Sequence, residues 1–283
     1  MSERERSGPA ESTQPAMVMA FRRLHEAGTF VMPNPWDVGS AVVLAQLGFP
    51  ALASTSAGAA WTAGRPDNGS TLAATLSHLR ALAHAVAVPV NADFEGGFAV
   101  EPELLRATVL AATGTGIAGL SIEDSTGDID RPMHPFALAV DRIAAARAAI
   151  DDSGTGVLLT ARSEGYVVGR PDLDETIRRL VAFAEAGADC LYAPRITTVA
   201  EITAIVAAVA PKPVNLLINA PFITVAEAAD LGVRRISVGG TLARAAWGGW
   251  LEAAREIAAA GTFGGFRGLP DVDGMLREPA PIE

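Results

Sequence analysis

The sequence predicts an α/β fold: a single (β/α)8 TIM barrel with an N-terminal helix before its first strand and a helical extension at its C-terminus. Three observations carry that prediction. Eight short apolar, β-branched-rich runs alternate with Ala-, Leu- and Arg-rich segments of helical period along the 283 residues. Glycines stand where helix passes to strand, at Gly48, Gly116, Gly187 and Gly232, as expected of helix C′ residues with positive φ. No Gly-x-Gly-x-x-Gly turn follows the first strand, which disfavours the competing open doubly wound sheet.

The elements follow in order. Residues 1–15 are polar, with little apolar content, and read as a disordered tail. The catalytic barrel spans 16–265, and a helix over 17–27 precedes its first strand. A strand over 29–34 leads to a helix over 38–47, and a strand over 51–54 to a helix over 71–86 that begins at the capping side chains Ser70 and Thr71. Strands over 89–94, 119–123 and 157–162 each precede a helix, over 101–113, 135–150 and 172–186. Strands over 189–193, 213–218 and 235–239 precede helices over 198–209, 224–231 and 241–260, and Thr224 opens its helix with capping-box spacing. Residues 266–283 form the C-terminal extension, and no linker divides the chain.

Composition narrows the function. With 22 Lys+Arg against 32 Asp+Glu the net charge is -10, so a phosphate backbone or an anionic bilayer would repel the chain. Neither nucleic acid nor a membrane is an expected partner. One cysteine allows no internal disulfide, and no apolar run reaches the ~18 residues of a membrane span. The charged start lacks an apolar signal region, so a cytoplasmic location is expected. Lys212 is the single lysine and falls at the amino end of the seventh strand, on the face opposite the expected site. A Schiff-base aldolase is therefore excluded.

In such a barrel the site is built from the carboxyl ends of the strands. Asn91 and Asp93, two apart on a strand, point to one side, and Glu123 closes the next strand. Two carboxylates and an amide oxygen converging there suit Mg²⁺, which keeps several waters and asks for few protein ligands. The competing reading is that they cap neighbouring helices or pair with Arg162. Arg162 interrupts an otherwise buried run and needs an anionic partner, either a substrate carboxylate or Glu123 or Glu164. Ser54, Thr55 and Ser56 offer hydroxyls and backbone amides to an oxyanion. Asn215 ends among the polar residues around the seventh strand, and Glu95 follows Asp93 closely. His134 follows the loop after the fourth strand, beside the expected metal, whereas His25, His78 and His84 read as surface positions on helices. Cys190 reads as packing.

At these residues the chain resembles the isocitrate lyase/phosphoenolpyruvate mutase superfamily over roughly 17–265. Ala53 to Gly58 resembles its Ser-Gly-rich substrate loop, and Gly64 to Asp67 the following Gly-x-x-Asp. Asn91-Ala92-Asp93 resembles Asp-Ala-Asp, Ile122-Glu123-Asp124 matches the Ile/Leu-Glu-Asp motif, and Ala161 to Glu164 resembles Ala-Arg-x-Glu/Asp. The resemblance implies a Mg²⁺-dependent enzyme, with Mn²⁺ as an alternative ion, acting on a small carboxylate substrate through an enolate. It implies that Asp67, Asp93 and Glu123 hold the metal directly or through water, that Arg162 clamps the substrate, and that subunits form a dimer or tetramer by exchanging a C-terminal helix.

Two departures shape the expected reaction. Asn91 replaces the leading metal Asp and removes one negative charge, unless Glu95 reaches in to compensate. The segment after Glu123 lacks the Lys-x-Cys-Gly-His loop of isocitrate and methylisocitrate lyases, and the mutase Lys/Asn-Ser gate is missing too. The resemblance therefore points to the cysteine-free branch, either oxaloacetate decarboxylase-like or carboxyphosphonoenolpyruvate phosphonomutase-like. The expected function is a lyase cleaving a carbon-carbon bond of a small 2-oxo or dicarboxylic acid, by decarboxylation or retro-aldol cleavage, with His134 or water returning a proton. The alternatives are a phosphonopyruvate- or phosphoenolpyruvate-type mutase or hydrolase, with 237–241 as a phosphate cradle, or a non-catalytic barrel that binds 2-oxo acids.

Overall fold

The structure is a computed structural model that describes residues 13–277. It opens with α1 (Gln14–Glu26), so the expected tail over 1–15 overlaps the start of that helix, while positions 1–12 and 278–283 lie outside the described residues. Eight strands follow: β1 (Phe30–Met32), β2 (Leu52–Ala53), β3 (Val90–Asp93), β4 (Gly119–Glu123), β5 (Leu158–Arg162), β6 (Cys190–Tyr192), β7 (Val214–Leu217) and β8 (Arg235–Ser237). They pair in parallel in the order β1-β8-β7-β6-β5-β4-β3-β2. Between β1 and β2 the backbone of Ala53 donates to Pro33 O at 3.0 Å, which leaves a nearly closed barrel.

Each strand reads as an apolar run without alternation because both of its faces are covered. Every residue of β4 is buried, with side chains alternately in the barrel and under the helices. The helices are α2 (Val38–Gln46), α3 (Ser56–Thr62), α4 (Leu72–Ala85), α5 (Pro102–Thr113), α6 (Phe136–Ser153), α7 (Leu173–Glu185), α8 (Val199–Val209), α9 (Val225–Asp230) and α10 (Thr241–Ala260). Thr71 caps α4 through Ala74 N, and Thr224 with Glu227 forms the expected capping box of α9. The joint glycines take positive φ, 94° at Gly116 and 107° at Gly187.

Two features depart from the sequence expectations. Helix α3 has no counterpart among the elements expected from the sequence, because its seven residues are too short to show a helical period. It forms where Thr55 Oγ1 accepts from Gly58 N, and Gly58 packs so closely that a Cβ would lie 2.8 Å from Trp36 Cβ. Among the helical histidines, His84 is exposed and His78 half-buried, but His25 packs edge-on against Phe21 and Phe30 beneath the barrel. Its Nδ1 donates to Phe21 O at 2.8 Å, and Arg235 Nη1 approaches its Nε2 at 3.4 Å. Burial, then the Arg235 charge, pushes His25 down to about 3.

After α10 a 3-10 turn (Gly264–Phe266) leads to α11 (Val272–Arg277), which packs on α2 of the same chain. Among the described residues no helix is long and apolar enough to cross a membrane.

Candidate active site

The carboxyl ends of the strands open on a cavity of about 540 Å³. Ser54, Thr55, Ser56, Asp67, Asn91, Asp93, Glu95, Glu123, Arg162 and Asn215 all line it. The barrel register explains the gathering. Asp93 pairs with Ser121 and Glu123 with Arg162, so their side chains leave adjacent strands at neighbouring levels.

His134 is not among them. Expected beside the metal, it lines a separate cavity of about 830 Å³ with Ser163 and Arg179. Ser125 and Met133 pair antiparallel and draw the intervening loop into a hairpin, while His134 N donates to Asp124 O at 2.9 Å and His134 O accepts from Arg179 at 3.1 Å. Burial, then Arg142 and Arg179, pushes the imidazole down to about 4, so it is neutral at physiological pH. Asp124 is buried in the same support, accepting from Glu164 N at 2.8 Å and pairing with Arg179 at 3.1 Å.

Arg162 is the hub of the cavity. Its Nη1 lies 2.7 Å from Asp93 Oδ1, its Nη2 3.1 Å from Glu123 Oε2 and its Nε 2.9 Å from Glu164 Oε1. The guanidinium also packs over Tyr192, 5.1 Å from the ring centroid. The other carboxylate oxygens of Asp93 and Glu123 are held by serines. Ser56 donates to Asp93 Oδ2 from its backbone at 2.9 Å and its hydroxyl at 2.8 Å, and Ser125 donates to Glu123 Oε1 at 2.5 Å. Ser54 Oγ accepts from Asp93 N at 2.8 Å, and Thr55 caps α3. The Ser-Thr-Ser turn is thus directed first at Asp93 and at its own helix.

Two acceptors in the cavity are left over. Glu95 Oε1 and Asn91 Oδ1 are buried without a hydrogen-bond partner. Glu95 sits at φ 50°, a left-handed conformation that non-glycine residues seldom adopt and that recurs at functional sites. Burial, then Asp93, Glu123 and Asp67, pushes its carboxyl up to about 8. Gly119 leaves room for Asn91, since a Cβ there would stand 2.6 Å from Asn91 Oδ1. At the rim, the Asp67 carboxyl is raised by partial burial and by the Asp93 charge.

These groups fit a divalent cation. Among the described residues no three His, Cys, Asp or Glu side chains are gathered into a ready coordination group, because Arg162 stands between the carboxylates. The orphaned oxygens and the mutual repulsion around Glu95 nevertheless supply what an oxygen-liganded Mg²⁺ uses, with water completing its shell. An anion site at 237–241 fits less well. Val238 N and Gly239 N both donate to Asn34 Oδ1 at 2.9 Å, and Thr241 N donates to Val238 O. Three of the amides that a phosphate cradle would offer are thus occupied.

Sequence reading passed over Ser125, Trp61, Arg235 and Arg244, all of which line the cavity. Arg235 carried the same signal as Arg162, a cation in an apolar strand. It is fully buried and bonds Asn215 Oδ1 at 2.8 Å and Thr160 Oγ1 at 3.0 Å.

The phosphoenolpyruvate phosphomutase family model matches residues 21–258. An uncharacterized protein of Mycobacterium tuberculosis is 35% identical over 224 residues, 78% of this chain and 82% of that protein. An oxaloacetate decarboxylase of Bradyrhizobium is 30% identical over 202 residues, 67% of this chain and 69% of the relative. Among solved structures, a putative lyase/mutase from Burkholderia cenocepacia superposes with a TM-score of 0.90 at 46% identity, over 94% of this chain and 98% of that one. A phosphonopyruvate hydrolase in complex with oxalate and Mg²⁺ superposes with a TM-score of 0.81 at 27% identity, over 93% and 94%.

Proposed function

The chain belongs to the phosphoenolpyruvate phosphomutase family, and from that membership we propose that it is a Mg²⁺-dependent lyase cleaving a carbon-carbon bond of a small 2-oxo or dicarboxylic acid. The observation that carries this reading is the group of Asp93, Glu95 and Glu123 around Arg162, with Glu95 Oε1 and Asn91 Oδ1 left without partners. Asp93, Glu123, Asp67 and the pair Asn91 and Glu95 would hold the ion, Glu95 offsetting the charge that Asn91 lacks. The ion supplies positive charge where negative charge builds up on the oxo group as the neighbouring bond breaks.

The chain's own residues do the rest. Ser56 and Ser125 fix one oxygen of Asp93 and of Glu123, so neither carboxylate needs to reorganise when substrate arrives. Decarboxylation asks least of this cavity, because the carboxylate departs as CO2 without a protein base. The returning proton comes from water. Cys190 is fully buried and its thiol is raised by that burial, so a thiol acid/base route has no group to use. The occupied amides at 238 and 239 favour carbon-carbon over phosphoryl chemistry. The proposal extends to a cytoplasmic homo-oligomer, in keeping with the apolar residues exposed along α10.

The test is direct. Purified protein with Mg²⁺ or Mn²⁺ is expected to release pyruvate from oxaloacetate and to stop when the metal is chelated. If neither oxaloacetate nor substituted malates are cleaved, the lyase assignment is wrong.

A further inference from the structure

The three guanidinium nitrogens of Arg162 already face Asp93, Glu123 and Glu164. Two other guanidiniums line the same cavity without such partners. Among the described residues, Arg195 and Arg244 make no ion pair and no side-chain hydrogen bond. Arg244 is nevertheless held in place. Its Cζ lies 5.2 Å from the centroid of the Trp61 ring, and the ring is backed by Gly240, where a Cβ would come within 3.0 Å of Trp61 Cη2. Stacking occupies the face of a guanidinium and leaves its edge free, and that edge is the fork that matches a carboxylate. Arg195, beyond β6, sits at φ 68°, a left-handed conformation rare for a side chain of its size.

The cavity is therefore divided. Asp93, Glu95, Glu123 and Glu164 cluster with Arg162, and Asp67 lies within reach of both Arg162 and Arg244, whereas the positive charge without an ion pair stands exposed at the rim, from the loop after β6 and the first turn of α10. We propose that Arg244, held on Trp61 and assisted by Arg195, receives a second carboxylate of the substrate, remote from its 2-oxo acid group, and so selects dianionic over monoanionic 2-oxo acids. The inference rests on the reading of this cavity as a 2-oxo-acid site and adds the residues that read the far end of the ligand.

Oxaloacetate and 2-oxobutanoate make a matched pair, with equal carbon skeletons and a carboxylate in place of a methyl. Their binding to the Mg²⁺-loaded protein is read by tryptophan fluorescence within seconds of mixing. The wild type is expected to favour oxaloacetate by about 10-fold or more, the scale of a charge-assisted hydrogen-bonded pair. Arg244→Gln should remove about 10-fold of that preference by weakening oxaloacetate alone, with Arg195→Gln giving a smaller loss and the melting temperature of each variant unchanged. A preference that survives in the Arg195→Gln/Arg244→Gln double variant overturns the inference, as does a wild type that binds both acids equally while the 2-oxo-acid reading stands. A wild type that binds neither acid overturns both.

Discussion

Arg162 Nη1 stands 2.7 Å from Asp93 Oδ1, and the opposite oxygen of that carboxylate is gripped by Ser56. One guanidinium thus balances a group of acids that would otherwise repel one another. Replacing it by Met should destabilise the protein by about 3–5 kcal/mol, because buried charges are left uncompensated. Arg162→Lys should cost less, because a positive charge remains, yet it should still destabilise, because a point charge cannot serve three carboxylates at once. Thermal unfolding with and without Mg²⁺ checks this, and added Mg²⁺ should raise the melting temperature of Arg162→Met more than that of the wild type.

Glu95 gives the metal-free protein a pH dependence. Its folded carboxyl is raised from 4.5 to about 8, so the folded state holds the proton more tightly than the unfolded chain. Its contribution to stability is complete below pH 4.5 and is lost as pH rises towards 8. In chelator, Glu95→Gln should gain melting temperature over the wild type through that window, and the same variant should bind Mg²⁺ more weakly. A constant difference between the two proteins across the window would contradict the assignment.

His25 acts with the opposite sign. Its folded value is lowered from 6.5 to about 3, so its contribution is present above pH 6.5 and is lost as pH falls towards 3, at roughly 1 kcal/mol per pH unit. Between pH 6.5 and 4.5, His25→Gln should therefore lose less melting temperature than the wild type.

Trp247 and Trp250 pack with ring centroids 4.9 Å apart and planes tilted by 57° on α10, and Trp250, Phe263, Phe266 and Leu269 are exposed. We propose that this face packs on a second copy of the chain, through exchange of the C-terminal segment. Sedimentation should show a dimer or tetramer for the wild type and a smaller species for Trp250→Glu, with the fold retained.

The barrel was legible because both its signals are local. Apolar runs mark the strands, and joint glycines such as Gly187 mark the helix ends. The same logic placed Asp93, Glu123 and Arg162 in one cavity, since strand ends converge whatever the intervening loops do. Loops were the weak point. His134 was placed by its distance along the chain from Glu123, but the pairing of Ser125 with Met133 turns the segment and carries the imidazole elsewhere. Trp61 belongs to a helix too short to show a period, so its contact with Arg244 left no trace in the sequence pattern.

Oxalate binding by calorimetry, with and without Mg²⁺, tests the central claim of a metal-dependent 2-oxo-acid site most directly. Oxalate should bind at least about 10-fold more tightly with Mg²⁺ present, and Glu123→Gln should erase that gain. Equal affinity with and without the ion would contradict the account and identify the barrel as a binding protein rather than a lyase.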